Sequence, residues 1–395
     1  MIHYGDITKI SGYDVPVVDC ITGGSPSQDL SEAGKRAGLD GERSGLFMEQ
    51  IRITKEMRAR DEQSGRTGEF IRPRFLVWEN VPGAFSSNKG EDFRIVLEEI
   101  AKVVQEDAVI PMPPKNKWTT SGAIVGDGWS IAWRILDAQF WGVPQRRRRI
   151  SLIADFGGGC ASEILFERKG LRRDSSESRA ERKGATTDAQ GCLGVHDRDG
   201  KTYGFPLGFR PENVRCYEET ATTLCVGTRS ADTDHIPCVV MDRSAYNQGE
   251  NAKYNIGIDE KGVAFSHIAK GPGAVCYKKP HYIVRRLTPL ECERLQGFED
   301  GWTDIGEYTD GKGKKKKTSD TARYKALGNS IALPPWKWVI KRLCSHYERD
   351  ATLASLFDGI GGFPCLWEQI NGKGSCLWAS EIEDFPMAVT TVRIE

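Results

Sequence analysis

The sequence predicts an α/β fold, a doubly wound open sheet with helices on both faces, joined to a smaller, irregular α+β domain. Three observations predict it. Short apolar runs of buried-strand type, Val17 to Ile21 and Phe75 to Trp78, alternate with helical spacing at Phe93, Val96, Leu97, Ile100, Val103 and Val104. The chain has 395 residues and 39% hydrophobic content, enough for two domains with cores of their own. Between about Gly157 and Pro280 the composition turns to Gly, Arg, Asp and Ser with little helical periodicity, which predicts a loop-rich, partly β module.

Each element follows from local chemistry. The strand at Val17 to Ile21 leads into Gly23-Gly24-Ser25-Pro26-Ser27-Gln28, and a long helical pattern comes next. Strand, tight turn and helix present Ser27 at a strand's C-terminal edge, where open α/β sheets do their chemistry. Phe75 to Trp78 forms the next strand and ends in Glu79, while Ile150 to Ile153 forms another directly after the arginine run Gln145 to Arg149. Thr288-Pro289-Leu290-Glu291 is a capping box with proline at the first helical position, so a helix starts there and runs towards Leu295. Trp336, Val339, Ile340, Leu343 and Tyr347 mark an amphipathic helix. Leu353 to Phe357 and Cys376 to Ala379 are two more strands, separated by a glycine-rich turn and a short helix.

Composition excludes several classes. No run of about 18 apolar residues exists, and the first residues lack the basic and apolar regions of a secretory signal, so a cytoplasmic protein without a membrane anchor is expected. Eleven cysteines show no C-x-x-C pair, which argues against a zinc ribbon or redox motif and for buried thiols; no metal is expected. The 55 basic and 55 acidic residues cancel, so any attraction for nucleic acid must come from local clusters: Arg146 to Arg149, Arg172 with Arg173, and Lys314 to Lys317. The last of these reads as a solvated loop, with phosphate contact as the alternative.

Leu356-Phe357-Asp358-Gly359-Ile360-Gly361-Gly362-Phe363 follows a strand and opens a helix, and Glu381 stands at the end of the next strand. That is a nucleotide-ribose arrangement: the glycines let backbone approach the ligand, and the carboxylate accepts from ribose hydroxyls. Bunched glycines suit S-adenosylmethionine better than a pyrophosphate cofactor, but a single motif does not decide between them. Glu79 could equally cap a turn, Gln145 to Arg149 could be an edge-strand charge run, and Asn329-Ser330 could be a helix cap.

Together these blocks resemble the bacterial and phage DNA cytosine-5 methyltransferase family. GGSPSQDLS at Gly23 to Ser31 is similar to its nucleophile loop, WENV at Trp78 to Val81 to its catalytic glutamate motif, and QRRRR at Gln145 to Arg149 to its arginine motif. RRLTPLECERLQGF at Arg285 to Phe298 and LGNSIALP at Leu327 to Pro334 are similar to its last two blocks. The order is rotated, since the FDGIGGF block that usually opens the family's chains here closes the sequence, a circular permutation joined through roughly Cys344 to Ala351.

The resemblance implies a Rossmann-like, S-adenosylmethionine-dependent catalytic domain in two parts, 1–160 and 301–395, around a target-recognition domain at 161–300. It implies a cofactor pocket of Phe357, Gly359, Ile360, Gly361, Gly362, Glu381, Asp6, Ile7, Pro26, Asn329 and Ser330, with Asp6 accepting from the adenine amino group and Ile7 against the ring. Glu79 would hydrogen-bond a flipped cytosine, and Arg147 and Arg149 would hold the base and the loop. The substrate would be double-stranded DNA, bound by a monomer, in the setting of restriction-modification. Within the recognition domain Arg210, Arg215 and Arg229 are candidate readers of base or phosphate. The family's nucleophile is cysteine, and Ser27 occupies that position. An alcohol is almost wholly protonated near neutrality and less polarizable than a thiol, so impaired turnover is expected, or a DNA-binding protein that retains the fold without catalysis. RNA methylation fits less well because of the large insert before Arg285, and a nicotinamide oxidoreductase would leave WENV and QRRRR unexplained.

Overall fold

A computed structural model describes residues 1–25, 45–167, 238–241, 258–259, 274–278 and 282–394. By compactness the chain forms two units, one of residues 1–136, 148–171 and 336–395, the other of 137–147 and 172–335.

The first unit is built on strands β1 (Ile2–His3), β2 (Cys20–Gly23), β3 (Phe75–Asn80), β4 (Ser121–Val125), β5 (Ser130–Asp137) and β6 (Arg148–Asp155). To these the far end of the chain adds β13 (Leu353–Leu356) and β14 (Cys376–Ser380). The order across this 8-stranded sheet is β1-β14-β13-β2-β3-β6-β5-β4. From β1 to β3 all neighbours are parallel. β6 runs antiparallel to β3, and β4 antiparallel to β5, so the doubly wound sheet is mixed at one end.

Register puts Ile21, Leu76 and Ala354 side by side on one face. That face is covered by α1 (Gly45–Gln63) and α2 (Glu91–Ala101). Phe47 and Ile51 of α1 join Phe93, Val96 and Ile100 of α2 over Leu76 and Trp78, while Ile53 and Met57 pack on Ile21, Leu356 and Trp378. These side chains are almost wholly buried, each removing about 1.5–3 kcal/mol worth of apolar surface from water. The opposite face carries Phe75, whose ring meets Tyr347 edge-on at 5.8 Å. It follows α6 (Leu333–Cys344), and Trp336 of that helix packs 5.0 Å from Phe363 in α7 (Gly362–Asn371).

Several expected elements shift by a few residues. The strand read at Val17 to Ile21 is observed at Cys20–Gly23, preceded by Asp19, whose side chain binds Arg349 and Thr352. The arginine-flanked strand extends to Arg148–Asp155. No helix among the described residues is long and apolar enough to cross a membrane. Cys20, Cys292, Cys344, Cys365 and Cys376 are buried and Cys160 is half-buried, all as free thiols.

In the second unit, β7 (Cys238–Met241), β8 (Ile258–Asp259), β9 (Ala274–Lys278) and β10 (Tyr282–Arg286) form an antiparallel sheet in the order β10-β9-β7-β8. The capping box forms as read: Thr288 Oγ1 accepts from Glu291 N at 3.2 Å, Glu291 Oε2 accepts from Thr288 N at 2.7 Å, and the helix α4 (Pro289–Gln296) follows. Lys314 to Lys317 is not a loop. β11 (Glu307–Thr309) and β12 (Lys315–Lys317) make an antiparallel hairpin ahead of α5 (Asp320–Asn329).

Candidate active site at the ends of the parallel strands

Five parallel strands end on one edge of the sheet, and four sequence motifs leave from those ends. β13 passes into Phe357 to Gly362, β14 into Glu381, β2 into Gly23 to Ser25, and β3 into Glu79 to Val81. β1 pairs with β14 and leads to Gly5 and Asp6. Between β13 and β2 the chain direction across the sheet reverses: β13 connects outward to β14, and β2 to β3. Ligands of open α/β sheets bind at such a switch point.

The β13 loop is bent into a cradle. Phe357 has φ +54°, and Gly359 and Gly361 have φ +60° and +77°. Positive φ is unfavourable for a bulky side chain, so Phe357 is held by its surroundings, its ring packing on the cluster of Ile7, Ile10 and Leu356. Open space surrounds the Cα of Gly359 on its side-chain side, whereas a Cβ on Gly361 would meet Thr390 Cγ2 at 3.1 Å. Glu381 fixes the cradle from the next strand: Oε2 accepts from Gly359 N at 2.8 Å, and Oε1 from Ile382 N and Glu383 N, each at 2.8 Å. Burial raises the pKa of this carboxyl from its ordinary value, and the three backbone donors oppose that rise.

Asp358, inside the cradle, is 7% exposed. Ser355 Oγ lies 2.5 Å from its Oδ1 and Thr390 Oγ1 3.2 Å from its Oδ2. Burial, reinforced by the nearby charge of Glu381, raises its pKa to about 7. Asp6 caps the short helix Ile7–Lys9, accepting from Thr8 N at 3.0 Å and Thr8 Oγ1 at 2.8 Å, and these bonds lower its pKa. Ile7 is 3% exposed and belongs to the core cluster beneath. Ile360 is likewise fully buried.

Pro26 and Ser27 lie outside the described residues. The stem before them is fixed by β3: Trp78 Nε1 donates to Ser25 Oγ at 3.3 Å, and Asn80 Nδ2 donates to Ser25 O at 3.4 Å. Glu79 projects beside this stem, where a Cβ on Gly24 would meet its Oε2 at 3.1 Å. Arg149 Nε is 3.1 Å from Glu79 Oε1, the two side chains being only 18% and 14% exposed. The antiparallel register of β3 and β6 brings them together, pairing Glu79 with Ser151. Burial lowers the Arg149 pKa, and Glu79 counteracts it. Cys20 sits at the start of β2, fully buried, with burial pushing its thiol well up.

Arg147 goes elsewhere. It is 2% exposed in the second unit, where Nη2 donates to Gly328 O at 3.1 Å and to Ser330 O. Asn329 and Ser330 are the end and cap of α5, so Arg147 binds the carbonyls at a helix C-terminus, which favour a cation. Sequence reasoning gave no role to Asp358, although it stands within the glycine block, and none to Thr390, Asn80 or Gln50. Thr390 and Gln50 carry no local signal, since only tertiary packing brings them to the loops.

A glycine-rich cradle, a carboxylate at the neighbouring strand end and a switch point between two halves of an open sheet define a Rossmann-like architecture. The chain belongs to the C-5 cytosine-specific DNA methylase family, whose profile matches residues 1–104 and 198–345. Among its relatives, a protein of Escherichia phage P1 named DNA N-6-adenine-methyltransferase is 29% identical, over 89% of this chain and 56% of that one. The type II methyltransferase M.BsuFI of Bacillus subtilis is 29% identical over 89% of this chain and 63% of its own length. The orphan methyltransferase M.SPRI of Bacillus phage SPR is 28% identical over 88% of this chain and 87% of that one. The chain thus spans under two thirds of the first two relatives' length.

Proposed function

We propose that this protein transfers a methyl group from S-adenosylmethionine to carbon 5 of a cytosine flipped out of duplex DNA, at a rate impaired by Ser27. The observation that carries the reading is the Arg149–Glu79 pair on β6 and β3, beside Gly24, with only β2 between β3 and the β13 cradle. A carboxylate held there by a buried guanidinium suits hydrogen bonding to a cytosine ring delivered above the β2 loop.

The residues present fit the cofactor. Gly359 leaves open space where a side chain would stand, and Glu381 spends three acceptor positions on backbone donors, retaining capacity for a ribose hydroxyl. Phe357, Gly359, Ile360, Gly361, Gly362 and Glu381 would hold it, with Asp6 and Ile7 at the adenine end. When bound, the cofactor supplies an electrophilic methyl group.

The chain's own residues would do the rest. Glu79, sharing a proton with ring nitrogen 3, stabilises charge pushed into the ring by addition at carbon 6, and Arg149 keeps Glu79 aligned. Residue 27 must supply the nucleophile for that addition. Serine lacks the thiolate population that makes cysteine effective, and the fully buried Cys20 cannot replace it. Arg147 would act indirectly, by holding the Gly328 to Ser330 segment. The recognition domain would read the target from the second unit, and a cytoplasmic monomer suffices for this work.

Methyl transfer from labelled S-adenosylmethionine to duplex DNA, by this chain and by Ser27→Cys, tests the reading. The Ser27→Cys form should methylate faster by orders of magnitude, with bisulfite sequencing revealing its site. Equal rates would overturn the role of Ser27. The name of the phage P1 relative favours one second reading, adenine methylation, and nucleoside mass spectrometry of the product distinguishes N6-methyladenine from 5-methylcytosine. If both forms bind duplex without methylating it, the chain is a DNA-binding protein on a methyltransferase fold.

A further inference from the structure

Between α4 and α5, the hairpin of residues 307–317 contains five lysines within six residues, Lys312 and Lys314 to Lys317, against the acidic Glu307 and Asp310, while Glu299, Asp300 and Asp304 precede it. Like charges so dense would normally repel one another into a mobile loop. Here a built turn opposes that tendency. Asp310 is 8% exposed and its Oδ1 accepts from Lys312 N at 3.0 Å and Lys314 N at 2.8 Å, while Asp310 N donates to Lys314 O at 2.9 Å. Gly313, at φ +77°, supplies the left-handed residue that this turn needs. Register then pairs Thr309 with Lys315, Tyr308 with Lys316 and Glu307 with Lys317.

The base of the hairpin is anchored as firmly. Thr318 N donates to Gly306 O at 2.7 Å. Arg323 of α5 donates to Thr303 Oγ1 at 2.9 Å and to the fully buried Glu293 at 3.1 Å, and Glu293 in turn accepts from Gly301 N and Thr303 N. Lys316 Nζ reaches Asp310 at 3.0 Å. Lys312, Lys314, Lys315 and Lys317 are exposed and make no ion pair among the described residues. The fold thus spends a buried aspartate and an anchored base on holding four ammonium groups out in water.

We propose that this hairpin is a phosphate-contacting arm that adds sequence-independent affinity for the duplex backbone. The inference rests on the reading of DNA as the partner. Lys315 and Lys317 share one face of the strand about 6.7 Å apart, a spacing at which each can reach a different phosphate of one strand. A lipid surface is a poorer fit, because membrane-lying elements need an apolar face and the hairpin offers only the half-buried Tyr308. Lysine, a point charge on a flexible stem, suits a rail of phosphates and carries no base code.

The test is the salt dependence of binding to two fluorescent duplexes of equal length and unrelated sequence, using the full chain and its Lys312→Gln/Lys314→Gln/Lys315→Gln/Lys317→Gln form. Each phosphate contact contributes about 0.9 to the slope of log K against log salt, so the slope should become shallower by about 2 to 3. Affinity should fall equally on both duplexes, and the corresponding Lys→Arg form should retain the original slope. Thermal melting of each form shows whether the fold is intact, and the arginine form keeps the test decisive if the glutamine form melts early. An unchanged slope in the glutamine form, or a loss confined to one duplex, overturns the arm while leaving DNA as the partner. Absence of duplex binding by the unaltered chain at every salt concentration overturns both.

Discussion

Gly23 and Leu356 are register partners at the C-terminal ends of adjacent parallel strands, although one stands near the start of the chain and the other near its end. The loop that leads to Ser27 and the β13 cradle are therefore neighbours by sheet pairing alone. On the far side of β13, β14 continues into α8 (Asp384–Ile394), and β1 lies parallel beside β14. Two parallel neighbours with a helix after the first is the geometry of a β-α-β crossover. A rearranged chain that joins Glu395 to Met1 through a short linker and opens between Cys344 and Ala351 should consequently keep the same sheet. Its circular dichroism spectrum and cofactor affinity should match those of the original, and loss of both would refute this account of the topology. Some stability should be lost, because Arg349 and Thr352 bind the buried Asp19 at the start of β2 and the cut falls beside them.

Gly23 is required by a helix that does not touch it in sequence. A Cβ there would stand 2.5 Å from Gln50 Oε1 and 2.8 Å from Gln50 Nε2, and Gln50 is fully buried on α1 with Nε2 donating to Val77 O at 3.3 Å. Gly23→Ala should therefore cost about 1–3 kcal/mol in urea unfolding by displacing that amide. Combined with Gln50→Ala it should cost less than the sum of the two, a coupling of at least about 0.5 kcal/mol. Strict additivity would mean that the Gln50 side chain is not what excludes the methyl group.

Legibility from sequence followed the range of the interactions. The Thr288 capping box reads directly because its two hydrogen bonds span three residues. Phe75 to Trp78 reads as a strand because every side chain in it is buried. Harder cases depend on distant partners. β4 was missed because its short, glycine-containing run packs through Gly122, whose missing Cβ leaves room for the Trp133 ring on β5. The lysine strand was missed because its order comes from Asp310 and the Arg323 network rather than from its own residues. Among the site residues, Glu79 and Glu381 were legible as carboxylates at strand ends. The divergence of Arg147 from Arg149 was not, since the partner of each is set by tertiary structure.

That divergence separates two substitutions of like chemistry. Arg147 serves the Gly328 and Ser330 carbonyls from one nitrogen, Nη2, placed by a planar guanidinium whose reach and fixed direction the flexible lysine stem does not match. Arg147→Lys should lower stability by about 1–3 kcal/mol, measured by denaturant unfolding. Arg149→Lys retains a cation for Glu79 and should leave stability nearly unchanged while lowering turnover of the Ser27→Cys form. Arg149→Ala removes a cationic partner of a mostly buried carboxylate, and Glu79→Gln introduced with it should recover part of the lost stability, because a buried charge that loses its cation costs more than its neutral counterpart. If Arg147→Lys proved neutral in stability and Arg149→Lys destabilising, the two arginines would have been assigned the wrong way round.

Asp358 makes the fold sensitive to pH in a direction opposite to that of most carboxylates. Its pKa, raised from 3.8 to about 7 by burial, means that the folded chain keeps a proton which the unfolded chain has already released. Stability falls wherever the native state binds more protons than the unfolded one, so this group's contribution is complete below about pH 4 and is lost as pH rises to about 7. The loss is at most about 4 kcal/mol by linkage, less if the cradle relaxes around the ionised group. Asp358→Asn keeps a donor and an acceptor for Ser355 and Thr390 without the charge, so unfolding free energies should decline less between pH 5 and 8 than in the unaltered chain. Glu381 faces the same loop with its pKa also raised, and it would repel an ionised Asp358 across Gly359. Cofactor affinity measured by calorimetry should accordingly weaken above about pH 7 in the unaltered chain and hold steady in Asp358→Asn. Identical pH profiles for the two forms would show that Asp358 does not titrate in this range and that the cradle owes its shape to Glu381 and the glycines alone.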